Sequence, residues 1–181
     1  MEYLVRKFAR NKWGEGNKEV DLLCADIYGS CLKTHFNKLS VWKINCDDIY
    51  DEEKLNKELI KVALAMVTSS DKIDKFQFIY FLEKDINGLD KVKSHGDTPI
   101  DYLDDMHEDL QNLKFKDLRY LSELYVKSIN KGQTKNIHKK DVSKAIQDAI
   151  ERKELNINNI NEIKNEKVKG MILEYNISFS D

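Results

Sequence analysis

Apolar and polar residues follow two rhythms along this chain, a period of two and a period near three and a half, and the switches between them delimit the predicted elements. Glu2 to Ala9 alternates, with Leu4 and Phe8 on one side and Tyr3, Val5 and Ala9 on the other. This predicts a strand over residues 3–9 whose two faces are both partly covered. Leu39 to Ile44 repeats the pattern, with Leu39 and Val41 opposed to Trp42 and Ile44. Phe76 to Leu82, FQFIYFL, is apolar on both faces and predicts an interior strand. Met171, Leu173, Tyr175, Ile177 and Phe179 alternate with Ile172, Glu174, Asn176 and Ser178, which predicts a C-terminal strand over 170–179.

Helical spacing fills the intervals. Val20, Leu23, Cys24, Ile27 and Cys31 define a stripe over residues 18–32, with Asn17 placed as N-cap. Leu55, Leu59, Val62, Ala63 and Met66 do the same over 52–68. Thr98, Pro99 and Asp101 have the order of a helix start, followed by Ile100, Leu103, His107 and Leu110 on one side. Phe115, Leu118, Leu121, Leu124, Tyr125 and Ile129 mark another helix, and its short link to the preceding one reads as a helical hairpin. Val142, Ala145, Ile146, Ala149 and Ile150 mark the last clear helix, and residues 155–166 keep a weak helical spacing in an Asn-rich setting. The reading is a single α+β domain over 1–181. It has a mixed or antiparallel sheet of four or more strands, packed helices, and a central helical insertion at 98–151 lying on the sheet.

Composition narrows the function classes. The chain has 181 residues, 34% of them charged, and a net charge of -2. That balance excludes a disordered chain and a general polyanion binder. Lysine outnumbers arginine 26 to 4, a bias expected of an AT-rich genome, and it argues against sites built on bidentate arginine. Three cysteines, Cys24, Cys31 and Cys46, lack a C-x-x-C pair and read as small core residues in a reducing compartment. With neither a signal-like leader nor a long apolar run, a cytoplasmic location and no membrane partner are expected.

The densest group of reactive side chains is Asp26, Ser30 and Lys33, at i, i+4 and i+7, followed by Thr34 and His35. In a catalytic reading Asp26 or His35 moves a proton, while Lys33 with Arg6 and Arg10 holds phosphate. The Asp26 and Lys33 pair is equally the ordinary ion pair of a surface helix. Trp13, among Lys7, Arg10 and Lys12 in a Gly-flanked loop, reads either as a base-stacking ring or as a lid packed on the domain edge. Lys139, Lys140 and His138 end the basic loop KGQTKNIHKK at a helix start, a second phosphate or nucleic-acid contact. Glu83 and Asp85 follow the interior strand, where sites of α/β sheets collect, but no third metal ligand accompanies them. Asp97 to Asp109 holds six acidic residues and no lysine or arginine, so Asp101, Asp104, Asp105 and Glu108 offer a face for a basic partner.

Motif tests remove most catalytic classes. Ser30-x-x-Lys33 recurs as Ser40 and Lys43, Ser69 and Lys72, and Ser128 and Lys131, so it carries no information. No G-x-G-x-x-G, Walker, H-E-x-x-H or G-x-S-x-G pattern occurs, and Cys24, Cys31, His35 and Cys46 lack zinc spacing. No cofactor and no metal are therefore expected. The sequence favours an accessory or regulatory protein working through another protein, with self-association open. The alternative is a small enzyme or binding module acting on nucleic acid or a phosphate-containing substrate. Convergence of Asp26, Lys33 and His35 on a concave pocket would favour the second.

Overall fold

The computed structural model describes residues 1–13, 19–20, 26–69, 73, 76–86, 88–96 and 98–178. Among these residues β1 (Glu2–Lys7), β2 (Leu39–Asn45), β3 (Phe76–Leu82), β4 (Asp90–Lys93), β5 (His107–Gln111) and β6 (Thr134–Ile137) form a single sheet. Its order is β4-β5-β2-β1-β3-β6, and every neighbouring pair is antiparallel. The helices are α1 (Asp26–Ser30), α2 (Glu52–Ser69), α3 (Asp101–Asp104), α4 (Phe115–Asn130), α5 (Lys139–Glu151) and α6 (Glu166–Ser178). The α+β class and the antiparallel sheet with packed helices agree with the sequence reading.

Alternation along the strands divides the core into two layers. Tyr3, Val5, Trp42, Ile44, Phe76, Phe78 and Tyr80 point to one face, where they meet Leu59 and Val62 of α2, Ile146 of α5, and Val168 and Ile172 of α6. Leu4, Leu39, Val41, Ile79, Phe81 and Leu110 point to the other, under Trp13, Ile27 of α1, and Leu121 and Tyr125 of α4. A fully buried side chain of this size contributes about 1.5–3 kcal/mol, so both layers hold the sheet. The two-sided burial of FQFIYFL follows from cover on both faces of β3, with Phe76, Phe78 and Tyr80 in one layer and Ile79 and Phe81 in the other.

The structure corrects three readings. The strand expected over 170–179 is not formed: residues 170–178 belong to α6, and Phe179 lies outside the described residues. Val168 and Ile172 are buried and Met171 and Tyr175 pack partly against them, a helical spacing, while Leu173 and Ile177 of the alternating series are exposed. The segment's apolar residues recur at intervals that fit both periods, and packing against α5 selects the helix. The helix read from Thr98 to Leu110 is confined to Asp101–Asp104. The Thr98 hydroxyl is engaged by the Thr68 hydroxyl at 2.8 Å, and the chain then turns into β5, which pairs with both β2 and β4. The helical hairpin is therefore absent. Third, KGQTKNIHKK contains β6, and DKVK forms β4; each is a short, lysine-bearing edge strand of the kind that resists further pairing. The segment 98–151 thus brings two strands to the sheet together with its helices.

Of the helix expected over 18–32, the portion 21–25, with Leu23 and Cys24, lies outside the described residues, as does the Asn17 cap. Ile27 and Cys31 are buried as their spacing requires.

Candidate functional site

The residues read as reactive from the sequence are scattered. Lys33 and His35 are exposed, His35 at the base of the tight turn His35–Lys38, and neither lines a principal cleft. The side chain of Asp26 lies outside the described residues. Arg6 is held by backbone: its Nε donates to the Cys31 carbonyl at 2.9 Å and its Nη1 to the Ser40 carbonyl, which ties β1 to β2 and to the turn after α1. The backbone N–H of Arg10 donates to Gln77 Oε1 at 3.1 Å. Trp13 is 2% exposed, donates Nε1–H to Cys31 Sγ at 3.3 Å and packs on Tyr125 at 5.6 Å, so its ring is a core side chain and presents no face to a base. Lys139 and Lys140 sit exposed in the first turn of α5.

The acidic face is largely neutralised from β4. Lys93 lies 3.2 Å from Asp105, Lys91 lies 3.4 Å from Glu108, and His95 Nδ1 lies 3.5 Å from Asp104, while Asp101 stays exposed. Glu83, at the end of the interior strand, is sandwiched between two lysines: Lys91 meets Oε1, and Lys43 approaches Oε2 at 3.1 Å as an ion pair without hydrogen-bond geometry. Lys43 also reaches Glu2 at 2.7 Å and holds that carboxyl below its ordinary range. The result is a row Glu2–Lys43–Glu83–Lys91–Glu108 beside a cleft of about 580 Å³. Each charge in it has an opposite neighbour, while Glu83 Oε2 and Glu108 Oε2 are held by ion pairing without a hydrogen bond among the described residues. Among the described residues no group of three His, Cys, Asp or Glu side chains is arranged to hold a metal.

A second cleft, of about 720 Å³ and the largest of the principal clefts among the described residues, opens on the other face and adjoins the first at Met1 and Leu82. Tyr3 and Tyr80 form its floor from β1 and β3, their rings edge to face at 6.4 Å. Burial pushes both phenols above their ordinary pKa, so they act as neutral donors and apolar walls. Tyr50 stands over the mouth, 92% exposed, its backbone N–H held by Asp48 Oδ1 at 2.9 Å. Next to it Asp51 caps α2 by accepting from the Glu53 and Lys54 N–H groups. The opposite lip is the turn Lys131–Gly132–Gln133, where Gly132 adopts φ +72° and the Gln133 N–H closes on the Ser128 carbonyl, so α4 ends and β6 begins. Lys135 pairs with Glu52 at 3.3 Å, and Lys131 is exposed with no ion pair among the described residues.

Its lining offers aromatic walls, amide and hydroxyl groups and a cationic lip. Lys131 belongs to the loop already marked as basic. The tyrosines carried no sequence signal, because Tyr3, Tyr50 and Tyr80 meet only through pairing of β1 with β3 and the placement of α2. In comparisons by sequence and by structure, no family model, curated protein or solved structure matches this chain, and the site rests on its own geometry.

Proposed function

We propose that this chain is an accessory or regulatory protein acting through protein–protein contact, and that the tyrosine cleft receives a partner segment bearing an aromatic or apolar side chain next to a carboxylate. The observation that supports the reading is the joining of three tyrosines with the exposed Lys131 around one cleft of about 720 Å³. Tyrosine combines a large apolar area with a polar tip and is enriched at the anchoring positions of interfaces. Lys131 supplies the complementary charge for an acidic segment. The dispersal of Lys33, His35, Lys139 and Lys140 over solvent-facing surface favours binding over catalysis.

The test places a photo-crosslinking phenylalanine analogue at position 50 of the full chain in its native cell extract, with adducts identified by mass spectrometry. The expected result is a discrete protein adduct that disappears in Lys131→Glu. Crosslinking to nucleic acid or to a small phosphate compound, with no protein adduct, would overturn the reading.

A further inference from the structure

Two turns far apart in sequence meet at the α4 end of the sheet. The Leu113 N–H donates to the Asn37 carbonyl at 3.0 Å, which sets the hairpin tip before β2 beside the start of α4. Each turn raises a phenylalanine into solvent: Phe36 is 86% exposed and Phe115 is 79% exposed. Lysines flank both rings in KTHFNK and KFK, namely Lys33, Lys38, Lys114 and Lys116, all exposed. Lys38 has an ion pair with Asp109 at 3.8 Å; Lys33, Lys114 and Lys116 have none among the described residues. On the neighbouring strand β4, by contrast, both lysines are paired, Lys91 with Glu83 and Glu108 and Lys93 with Asp105.

Phe36 occupies an unfavourable position for its kind. His35 and Lys38 exchange two backbone hydrogen bonds at 3.0 Å around Phe36 and Asn37, with φ of +48° and +58°. That is a two-residue hairpin turn of the type that selects Asn and Gly, and a bulky aromatic there is strained. The ring stays largely in solvent in return and stands edge to face with the His35 imidazole, centroids 4.3 Å apart. A strained, uncovered aromatic at a loop tip marks a surface used outside the fold.

We propose that this tip docks on an anionic lipid bilayer, with Phe36 and Phe115 entering the interfacial region and Lys33, Lys38, Lys114 and Lys116 meeting the headgroups. Shape and charge together select this occupant. Phe36 stands at the hairpin tip and Phe115 at the first residue of α4, both rings largely in solvent, and none of the six residues lines any of the five clefts described, so the patch protrudes. A nucleic-acid strand is held along a groove and a protein anchor enters a pocket, whereas a fluid interface closes around a convex apolar tip ringed by lysines. This surface is separate from the tyrosine cleft and does not rest on it.

The test is co-sedimentation of the full chain with vesicles of phosphatidylcholine alone and of an equimolar mixture with phosphatidylserine. Binding is expected to the mixed vesicles only, and to fall as salt is raised. Phe36→Ser and Phe115→Ser should each weaken it about tenfold, and each of Lys33→Ala and Lys116→Ala about fivefold. Phe36→Asn suits the turn, so its binding loss with an unchanged or higher melting temperature separates docking from folding. Lys131→Glu should bind vesicles as the parent does. Absence of binding at low salt overturns the proposal, as does full binding by the double phenylalanine variant. Phe36-dependent capture of a single-stranded oligonucleotide or of an acidic protein, in place of vesicles, overturns it as well.

Discussion

On one face of the sheet α2, α5 and α6 lie over side chains from β1, β2, β3 and β6, and the layer between them is apolar. On the opposite face α4 and the segment around Trp13 cover part of the strands, and beyond them the surface passes into the alternating row from Glu2 to Glu108. The first face is held by burial, which is non-directional and tolerant of salt. The second adds charges whose contribution depends on how completely each is paired. The same sheet is thus stabilised in two ways that respond differently to solution conditions.

Truncation in the first layer should have the largest effect. Leu59 is fully buried between α2 and the sheet, and Leu59→Ala is expected to cost about 2–5 kcal/mol in denaturant unfolding, nearly independent of salt. Glu83→Gln on the second face should cost about 2 kcal/mol, because two lysines lose their shared carboxylate, and the loss should shrink as salt rises. An equal salt response for the two variants would remove the distinction between the faces.

Tyr125 sharpens the comparison from inside the second layer. Its hydroxyl is fully buried, has no hydrogen-bond partner, and burial raises its pKa well above the usual phenol value. Tyr125→Phe is therefore expected to be neutral or stabilising by about 1 kcal/mol. The sign with pH is fixed by the direction of the shift. A raised folded-state value means the unfolded chain ionises first, so this tyrosine lowers stability as pH climbs above about 10, and the Phe variant should show a flatter alkaline limb.

The smallest effect is expected at the exposed end of α5. Arg152 bonds Glu154 at 2.9 Å through both Nε and Nη2, and this pairing lowers the Glu154 pKa. A depressed carboxylate contributes stability above its unfolded value and loses it as pH falls through the folded one. The difference between the parent and Glu154→Gln should therefore be a few tenths of a kcal/mol at neutral pH and vanish in acid. A loss as large as that of Glu83→Gln would show that the buried row has no special standing.

Legibility in the sequence followed how much each segment depends on distant partners. The strands β1, β2 and β3 sit together at the centre of the sheet, carry long apolar patterns and were readable, as were α2, α4 and α5. The edge strands β4 and β6 hold one apolar residue each and become strands because a neighbour offers its backbone. The segment ending at Ser178 satisfied two periods at once, and the contact with α5 decided between them. For the sites the division is similar. The basic character around Lys131 was readable, whereas the tyrosine cleft and the Phe36 and Phe115 tip needed residues from separate segments brought together.

By itself the sequence determined the α+β class, the two-sided burial of Phe76–Leu82 and the stripes of the main helices, because these depend on periodicity within a few turns of chain. The exception is Phe115, which was read into the α4 stripe and stands in solvent. Tertiary structure alone decided that Trp13 is a core residue, that the acidic residues near Asp105 are paired from β4, and that three tyrosines share one cleft. Periodicity encodes which face of an element is apolar; it does not encode which other element will cover that face or supply the opposite charge.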